Sequence, residues 1–518
     1  MSKAFIFTLS FIFIFSIACR TKNAGFVTIA MSEPFSTFNT LTSEKSDAAA
    51  ERVRNLMFNS LVKKNEKFEY VGELAKEIVP SEDGKVVTFV LLDNVKFHNG
   101  KEFTSADVKY TFDELFKSKG FKAPAFSDTV DDKPVPHILS IATPDAKTVV
   151  FTLSRASLQN QLLSNLVAIP IIPEGSVEQQ ATRPIGSGAF KFVSFDSSQN
   201  IVELAANSDY FGGAPKVQKL RLKTVADANS MQAELQSGGV DLAPLPTNLT
   251  PDSIKSLGTI PNLKVEQFNG SNIQYLQFNT ESAPLNNVKL RQAIAYSIDR
   301  EKIISELLSG QATLAHSILP VESWAYNAGT KYSYDPAKAK QLLQESGYKG
   351  ETIKFKFASG GAATSQYSQV IQNSLTQIGM KVEIEPVERN ALLTQLRLGQ
   401  YQMFTGIWVG GNQDPIFLHD LFTTQKIPSE KLKVSCCNRS RYSNPEVDKL
   451  INEAFNSTNR EQAKDLYFKA QDIISLEVPM FPLWYSANMV VANKRIGNIK
   501  ITPSGDWSFI KDITADGK

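Results

Sequence analysis

Between Asp335 and Val409 the chain alternates helix and strand signals with little between them, and that alternation restricts the fold more than any other feature. Asp335-Pro336 is an N-cap followed by a first-turn proline; the helix it opens passes Leu342/Leu343 and stops at Gly347. A strand is expected over 354–358, then a helix through Val370/Ile371 to Gly379 and a strand over 381–385. A helix holding Leu392, Leu393 and Leu396 ends at Gly399, and a strand follows over 403–409. Strands and helices in this order build an α/β layered domain. Upstream, 290–310 reads as one helix, because Ile294/Ile298, Ile303/Leu307 and Ile304/Leu308 are each four apart. After the Asp83-Gly84 turn signal, 86–92 reads as a strand, and Ser105 opens a helix with Val108, Phe112, Leu115 and Phe116 on one face. A chain of 518 residues is too long for one ordinary core, so two or three packed units are expected.

The first residues obey a different rule. Lys3 precedes an apolar run from Ala4 to Phe15 and then Ser16-Ile-Ala-Cys19. One early positive charge, a short apolar stretch and a small residue before a cut site describe an export signal over 1–18. The run is too short to span a bilayer, which takes about 20 residues. Cys19 directly after Ala18 resembles a lipobox, which implies an acylated thiol, a tether over 19–25 and a membrane-anchored lipoprotein in the periplasm or at the cell surface. Cys436-Cys437 would share that oxidising space, either as a strained vicinal disulfide or as two free thiols. Adjacent cysteines do not supply the spaced ligands of a zinc site, so neither metal nor cofactor is expected.

Catalytic signatures are missing. His98, His137, His316 and His419 are isolated, and none forms a His-Glu-x-x-His pair. Gly186-Ser187-Gly188 fails the nucleophile-elbow pattern and lacks the Lys-Ser/Thr of a phosphate loop; a structural turn is expected there. Asp131-Asp132 lies among prolines and polar residues, as in a solvated loop. A formal net charge of +2 without any basic block gives no support to a nucleic-acid partner. The chain is expected not to be an enzyme.

Several ordered stretches resemble the oligopeptide/dipeptide/nickel class of extracytoplasmic substrate-binding proteins of ABC importers. They begin with Asn55-Leu-Met-Phe-Asn-Ser-Leu-Val62 and Glu73-Leu-Ala75. The longest is 89–115, a strand, a Phe-His-x-Gly turn at Phe97–Gly100 and a helix opening near Ala106-Asp107-Val108 behind Thr104/Ser105. Pro184-Ile-Gly-Ser-Gly-Ala-Phe-Lys191, Asp209-Tyr-Phe-Gly-Gly-Ala-Pro215 and Leu235-Gln-Ser-Gly-Gly-Val-Asp241 follow. Asn286 to Arg300, Tyr334 to Lys340 and Asn444 to Ile451 complete a series that runs over about 26–490.

The resemblance implies a two-lobed periplasmic-binding-protein-like α/β fold of the large type. Lobe I would take 26–274, with an inserted subdomain over about 61–185; lobe II would take 275–480, and 481–518 would return to lobe I. Asn269–Asn279 and Pro479–Asn488 are the candidate crossings. A monomer would close on a small solute, most simply a peptide, and pass it to permease subunits. In peptide-binding members a Trp-x-Gly-Asp-x-x-Asp-Pro loop supplies an aspartate for the ligand's amino group. Here the loop is Trp408-Val-Gly-Gly-Asn-Gln-Asp-Pro415, with Gly411 at that aspartate's place. A buried ammonium without a carboxylate costs several kcal/mol, so either the ligand lacks a free amine or another acid, such as Glu33, substitutes. The ligand-binding residues implied are Glu33, Trp408, Gly410, Gly411, Asn412, Asp414, Trp484 and Tyr485, with Tyr275 and Asn279 on a crossing strand. The alternatives are a ligand-sensing lipoprotein that signals to another membrane protein, and a sugar, nickel or haem receptor of the same family.

Overall fold

The computed structural model describes residues 25–130, 133–408, 414–429 and 437–516. Cys19, Asp131-Asp132, the Gly410-Gly411-Asn412 segment and Cys436 therefore lie outside the described residues. Two large sheets organise the chain. The first has seven strands in the order Phe190–Asp196, Ile201–Ala206, Lys219–Thr224, Val27–Met31, Leu242–Pro244, Asn488–Asn493, Leu263–Phe268. Val27–Met31 is fully buried at its centre, parallel to Lys219–Thr224 and Leu242–Pro244. Asn488–Asn493 enters antiparallel from the far end of the sequence. The second sheet has six strands: Ala312–Leu314, Met480–Ser486, Ile273–Phe278, Met403–Trp408, Thr352–Ala358, Lys381–Val387. A four-stranded antiparallel sheet over 75–153 packs onto the first, and one core runs from Val27 and Ile29 through Phe89 and Phe151. Each face of the second sheet carries its own core. The fold is α/β and two-lobed.

The chain passes between the lobes twice, at 269–272 and at Ala487. Met480–Ser486 stays in the second sheet, so the return to the first lobe falls at Ala487 and not at 481. The crossings are stitched together. Ser486 N–H donates to Asn272 O (2.8 Å), and Asn488 Nδ2 donates to Asn269 O (3.1 Å) and Thr502 O (2.9 Å). A Cβ on Gly270 would lie 1.9 Å from Ser486 O, so this approach requires glycine.

The ordered sequence stretches turn out to be framework. Asn59 Nδ2 donates to Glu73 Oε1 (2.9 Å) and to Tyr210 Oη (3.1 Å), while Ser60 N–H donates to Glu73 Oε2 (2.7 Å). Burial raises the Glu73 pKa against these bonds. His98 sits on the Gly186–Gly188 turn, its Nε2 3.0 Å from Gly188 O, with Gly186 N–H reaching Nδ1 at 3.3 Å. Asp107 is fully buried and receives Thr104 N–H (2.9 Å), Glu174 N–H (2.8 Å) and Lys101 Nζ (2.6 Å), tying the start of helix Ser105–Lys117 to two loops. Arg291 and Arg300 are spent on main-chain carbonyls: Arg291 on Leu285, Glu477 and Val478, Arg300 on Ala315, Pro482 and Tyr332. Burial lowers both guanidinium pKa values to about 10.

Local expectations are met along most of this framework, with one correction. The helix expected over 290–310 is Val288–Ser297, a break at Ile298-Asp299, a short turn at Arg300–Lys302 and a π-type segment over Ile303–Leu307. Asp299 caps a new start there, accepting from Lys302 N–H at 2.9 Å, and Arg300 turns inward to its carbonyls. No helix among the described residues is long and apolar enough to cross a membrane.

Candidate functional site

One hairpin of the first lobe, 62–72, reaches the second lobe through Glu69. Val62–Lys64 pairs antiparallel with Tyr70–Gly72, which sets Lys64 opposite Tyr70. Asn65 shapes the turn: its Oδ1 accepts Lys67 and Glu69 N–H at 2.9 Å each, and its Nδ2 donates to Glu69 Oε2 at 2.9 Å. Glu69 then meets Arg460 of the second lobe, Nη2 to Oε1 at 2.8 Å. Bonds from Asn65 and Arg460 hold the Glu69 carboxyl below the usual carboxylate range. The Arg460 guanidinium stacks 4.9 Å over Trp324, which packs edge-on to Tyr467 at 6.1 Å.

At the hairpin's base the charge of Asp414 acts on Lys64 and Tyr70. Asp414 is 5% exposed and belongs to the second lobe, where its Oδ1 accepts Ile416 N–H at 2.9 Å and turns the chain into helix Phe417–Phe422. Its negative charge is felt by three side chains. Burial lowers the Lys64 pKa and Asp414 opposes that shift. Burial raises the Tyr70 pKa, and Asp414 adds to the rise. The same two causes raise Tyr467. Lys64 Nζ lies 5.4 Å from the Tyr70 ring centroid.

Trp408 ends its strand half-buried, 6.1 Å from Phe417 and against the Ile273/Ala315/Tyr485 group. It lines a cavity of about 10 Å³ with Ile273, Ile318, Leu319, Phe417 and Met480. Trp408 and Asp414 thus flank the segment 409–413, which lies outside the described residues. Glu33 is exposed past the carboxyl end of the central strand, where its charge acts on Arg52. Ligands of open α/β sheets collect at such strand ends.

The remaining expected residues are occupied in the framework. Trp484, 2% exposed, packs edge-on to Tyr367 at 5.1 Å. Tyr485 donates its hydroxyl to Ser317 O (2.6 Å) and Leu319 O (2.5 Å). Tyr275 is 3% exposed against Phe404, and Asn279 donates to Gly399 O and Tyr401 O, both at 3.0 Å. These residues lie on or beside the interior strands Ile273–Phe278 and Met480–Ser486 of the second sheet, not on crossings, and an interior strand is buried on both faces, so its polar groups turn to neighbouring backbone. Lys64, Glu69, Tyr70, Trp324, Arg460 and Tyr467 had no sequence signal: the hairpin that carries three of them reads as an ordinary polar turn. Cys437 is disulfide-bonded, and both other cysteines, Cys19 and Cys436, lie outside the described residues.

The histidines are held in place. Burial lowers His98 and His316 to about 4, His137 contacts Asp128 at 3.1 Å, and His419 stacks on Phe455. Among the described residues no group of three or more His, Cys, Asp or Glu side chains is arranged to hold a metal ion.

A model of the bacterial extracellular solute-binding proteins, family 5 Middle, matches residues 69–429. The chain is similar to heme-binding protein A of Haemophilus influenzae, 32% identical over 480 residues, which are 86% of this chain and 84% of that protein. It is similar to oligopeptide-binding protein AppA of Bacillus subtilis, 29% identical over 493 residues, 90% of this chain and 88% of AppA. The solved structure of that AppA with a nonapeptide superposes with a TM-score of 0.73 at 25% identity, covering 95% of this chain and 99% of AppA. The structure of CtaP from Listeria monocytogenes, at 23% identity, shares the fold with a TM-score of 0.82 over 95% of this chain and all of that one.

Proposed function

Because the chain belongs to the bacterial extracellular solute-binding proteins of family 5, we propose that it captures an oligopeptide or related solute between its lobes and delivers it to an ABC importer. The observation that carries this reading is the lobe-spanning hairpin. Its Glu69 pairs with Arg460 of the second lobe at 2.8 Å, and a solute held between the lobes would favour the state in which they meet. A lipid on Cys19 would keep the receptor beside its permease. Nothing in the reading makes or breaks a covalent bond.

Gly411 narrows the solute class. Without an aspartate at that place, peptides with a blocked or absent amino terminus are the favoured ligands, and Glu33 is the acid that remains at the strand ends. Trp408 gives a ring for apolar or planar side chains. The test is to purify the exported protein, denature it and identify the released small molecules by mass spectrometry. Peptides or peptide-like solutes are expected; a porphyrin, a nickel chelate or a sugar would replace the peptide reading with another receptor of this family. Import loss on deletion of the adjacent permease genes tests delivery, and labelling with a fatty-acid analogue that a Cys19→Ala variant loses tests the anchor.

A further inference from the structure

Two short crossings join the lobes, and a third stretch of chain lies against both of them. The segment 502–506 belongs to the first lobe: Ile499 and Ile501 before it, and Trp507, Phe509 and Ile510 after it, are buried in the core that also holds Val27 and Phe89. From there it meets the crossings through main-chain carbonyls. Pro503 O accepts Ser271 N–H at 3.0 Å. The Asn488 side chain, 3% exposed, gathers the rest: its Nδ2 lies 2.9 Å from Thr502 O, 3.2 Å from Pro503 O and 3.1 Å from Asn269 O.

The turn that presents these carbonyls is held from within. Asp506 Oδ2 accepts the Thr502 and Ser504 hydroxyls at 2.6 Å each, and its Oδ1 accepts Ser508 N–H at 3.0 Å. Gly505 N–H closes onto Thr502 O at 2.9 Å, with Gly505 at φ +71°, a left-handed conformation that glycine adopts without strain.

A hinge needs a few residues free to change φ and ψ, and a residue bonded into one lobe travels with that lobe. Ser271 and Asn488 are bonded to the 502–503 turn and so move with the first lobe. On the far side of each crossing, Asn272 O accepts Ser486 N–H at 2.8 Å and Ala487 N–H donates to Gln311 O at 3.1 Å, which ties both to the second lobe. These bonds leave the 271–272 and 487–488 junctions as the places where the backbone can turn. We propose that the segment 502–506 is a third hinge element, and that Asn488 is the positioning residue through which it confines the pivot to those two junctions. The inference rests on the reading that the lobes close around a solute, and it names the chain that governs that motion. Without the brace, rotation spreads over 269–272 and the lobes part further.

The experiment compares the full-length wild type with Asn488→Leu, Asp506→Asn, the double variant and Arg460→Ala, by small-angle scattering and hydrogen exchange without added solute. Asn488→Leu keeps the branched shape and removes the donor. Asp506→Asn loosens the turn without touching a crossing, and stands in if the leucine variant fails to fold. Both are expected to enlarge the radius of gyration and to speed exchange at 269–272 about tenfold, with strands Ile273–Phe278 and Asn488–Asn493 unchanged. The double variant is expected to go no further than Asn488→Leu alone, because both changes release one brace. An unchanged radius or hinge exchange in either single variant, additive effects in the double, or faster exchange spread through the first-lobe core, as a merely structural role would give, overturns the proposal. Arg460→Ala parts the lobes at the rim without touching the hinge. If it widens the molecule while the hinge variants do not, the brace alone is wrong; if no variant does, the closure reading falls with it.

Discussion

A Cβ on Gly188 would lie 2.4 Å from the Met57 carbonyl carbon and 2.7 Å from Leu56 O, distances no side chain tolerates. Gly188→Ala must therefore push the turn off the end of the first helix. A loss of about 1–3 kcal/mol is expected, read as a lower urea midpoint at unchanged slope. The same contact governs His98. Burial holds its pKa at about 4 in the folded protein, below the ordinary 6.5. Its neutral form is thus favoured on folding, and the unfolded chain takes up the proton first as pH falls. Stability attributable to His98 is complete above about pH 6.5 and declines toward pH 4. A His98→Gln variant should show a shallower acid decline in thermal unfolding; an identical slope would contradict the assignment. The sequence already marks Gly186-Ser187-Gly188 as a turn, because glycine spacing is local information. That the turn seats a histidine 90 residues away is not local, and periodicity cannot report it.

Among the elements, helix Ser105–Lys117 depends most on one side chain. Asp107 is fully buried and holds two backbone N–H groups and Lys101. Asp107→Ala leaves the Thr104 and Glu174 N–H groups without that acceptor, while Lys101 stays in water and near Glu174, and should cost about 2–4 kcal/mol. Hydrogen exchange would show the helix and the 173–177 loop losing protection together. If only the helix end frays, the hub is an ordinary cap worth about 1 kcal/mol. The helix expected over 290–310 shows the opposite side of local reasoning. Its four-residue apolar spacing is real, yet the element breaks at Ile298-Asp299 because Arg300 gains three carbonyl partners by turning inward. Those partners come from 315, 332 and 482, and no window of a dozen residues contains them.

For the whole molecule, the consequential contact is the pair between Glu69 and Arg460, which joins the lobes at the rim. Its side chains are 33% and 49% exposed, so its contribution is about 0.2–1 kcal/mol. Arg460→Ala should shift the closed-to-open ratio by no more than about fivefold, and high salt should produce the same shift in the wild type. Small-angle scattering would record it as a larger radius of gyration; a variant indistinguishable from wild type at both low and high salt would show that the rim pair is passive. The aromatic expectations separate at this scale too. Trp408 ends its strand half-buried beside Phe417, whereas Trp484, in a run of the same aromatic character, is closed into the second lobe by Tyr367. Both tryptophans look alike in sequence, and only the sheet's two faces tell them apart.

The sequence by itself determined the alternation of elements, the caps, the turns and the ordered framework stretches that mark the family. Each of these is set by residues within a turn or two of one another, or by a buried side chain whose role tolerates few substitutes. The tertiary structure alone decided which residues meet between the lobes. Glu69, Lys64 and Tyr70 come from one hairpin, whereas Arg460, Asp414 and Tyr467 come from stretches more than 300 residues further along the chain. Contact between surfaces of different lobes obeys no spacing along the chain, and so leaves no pattern to read.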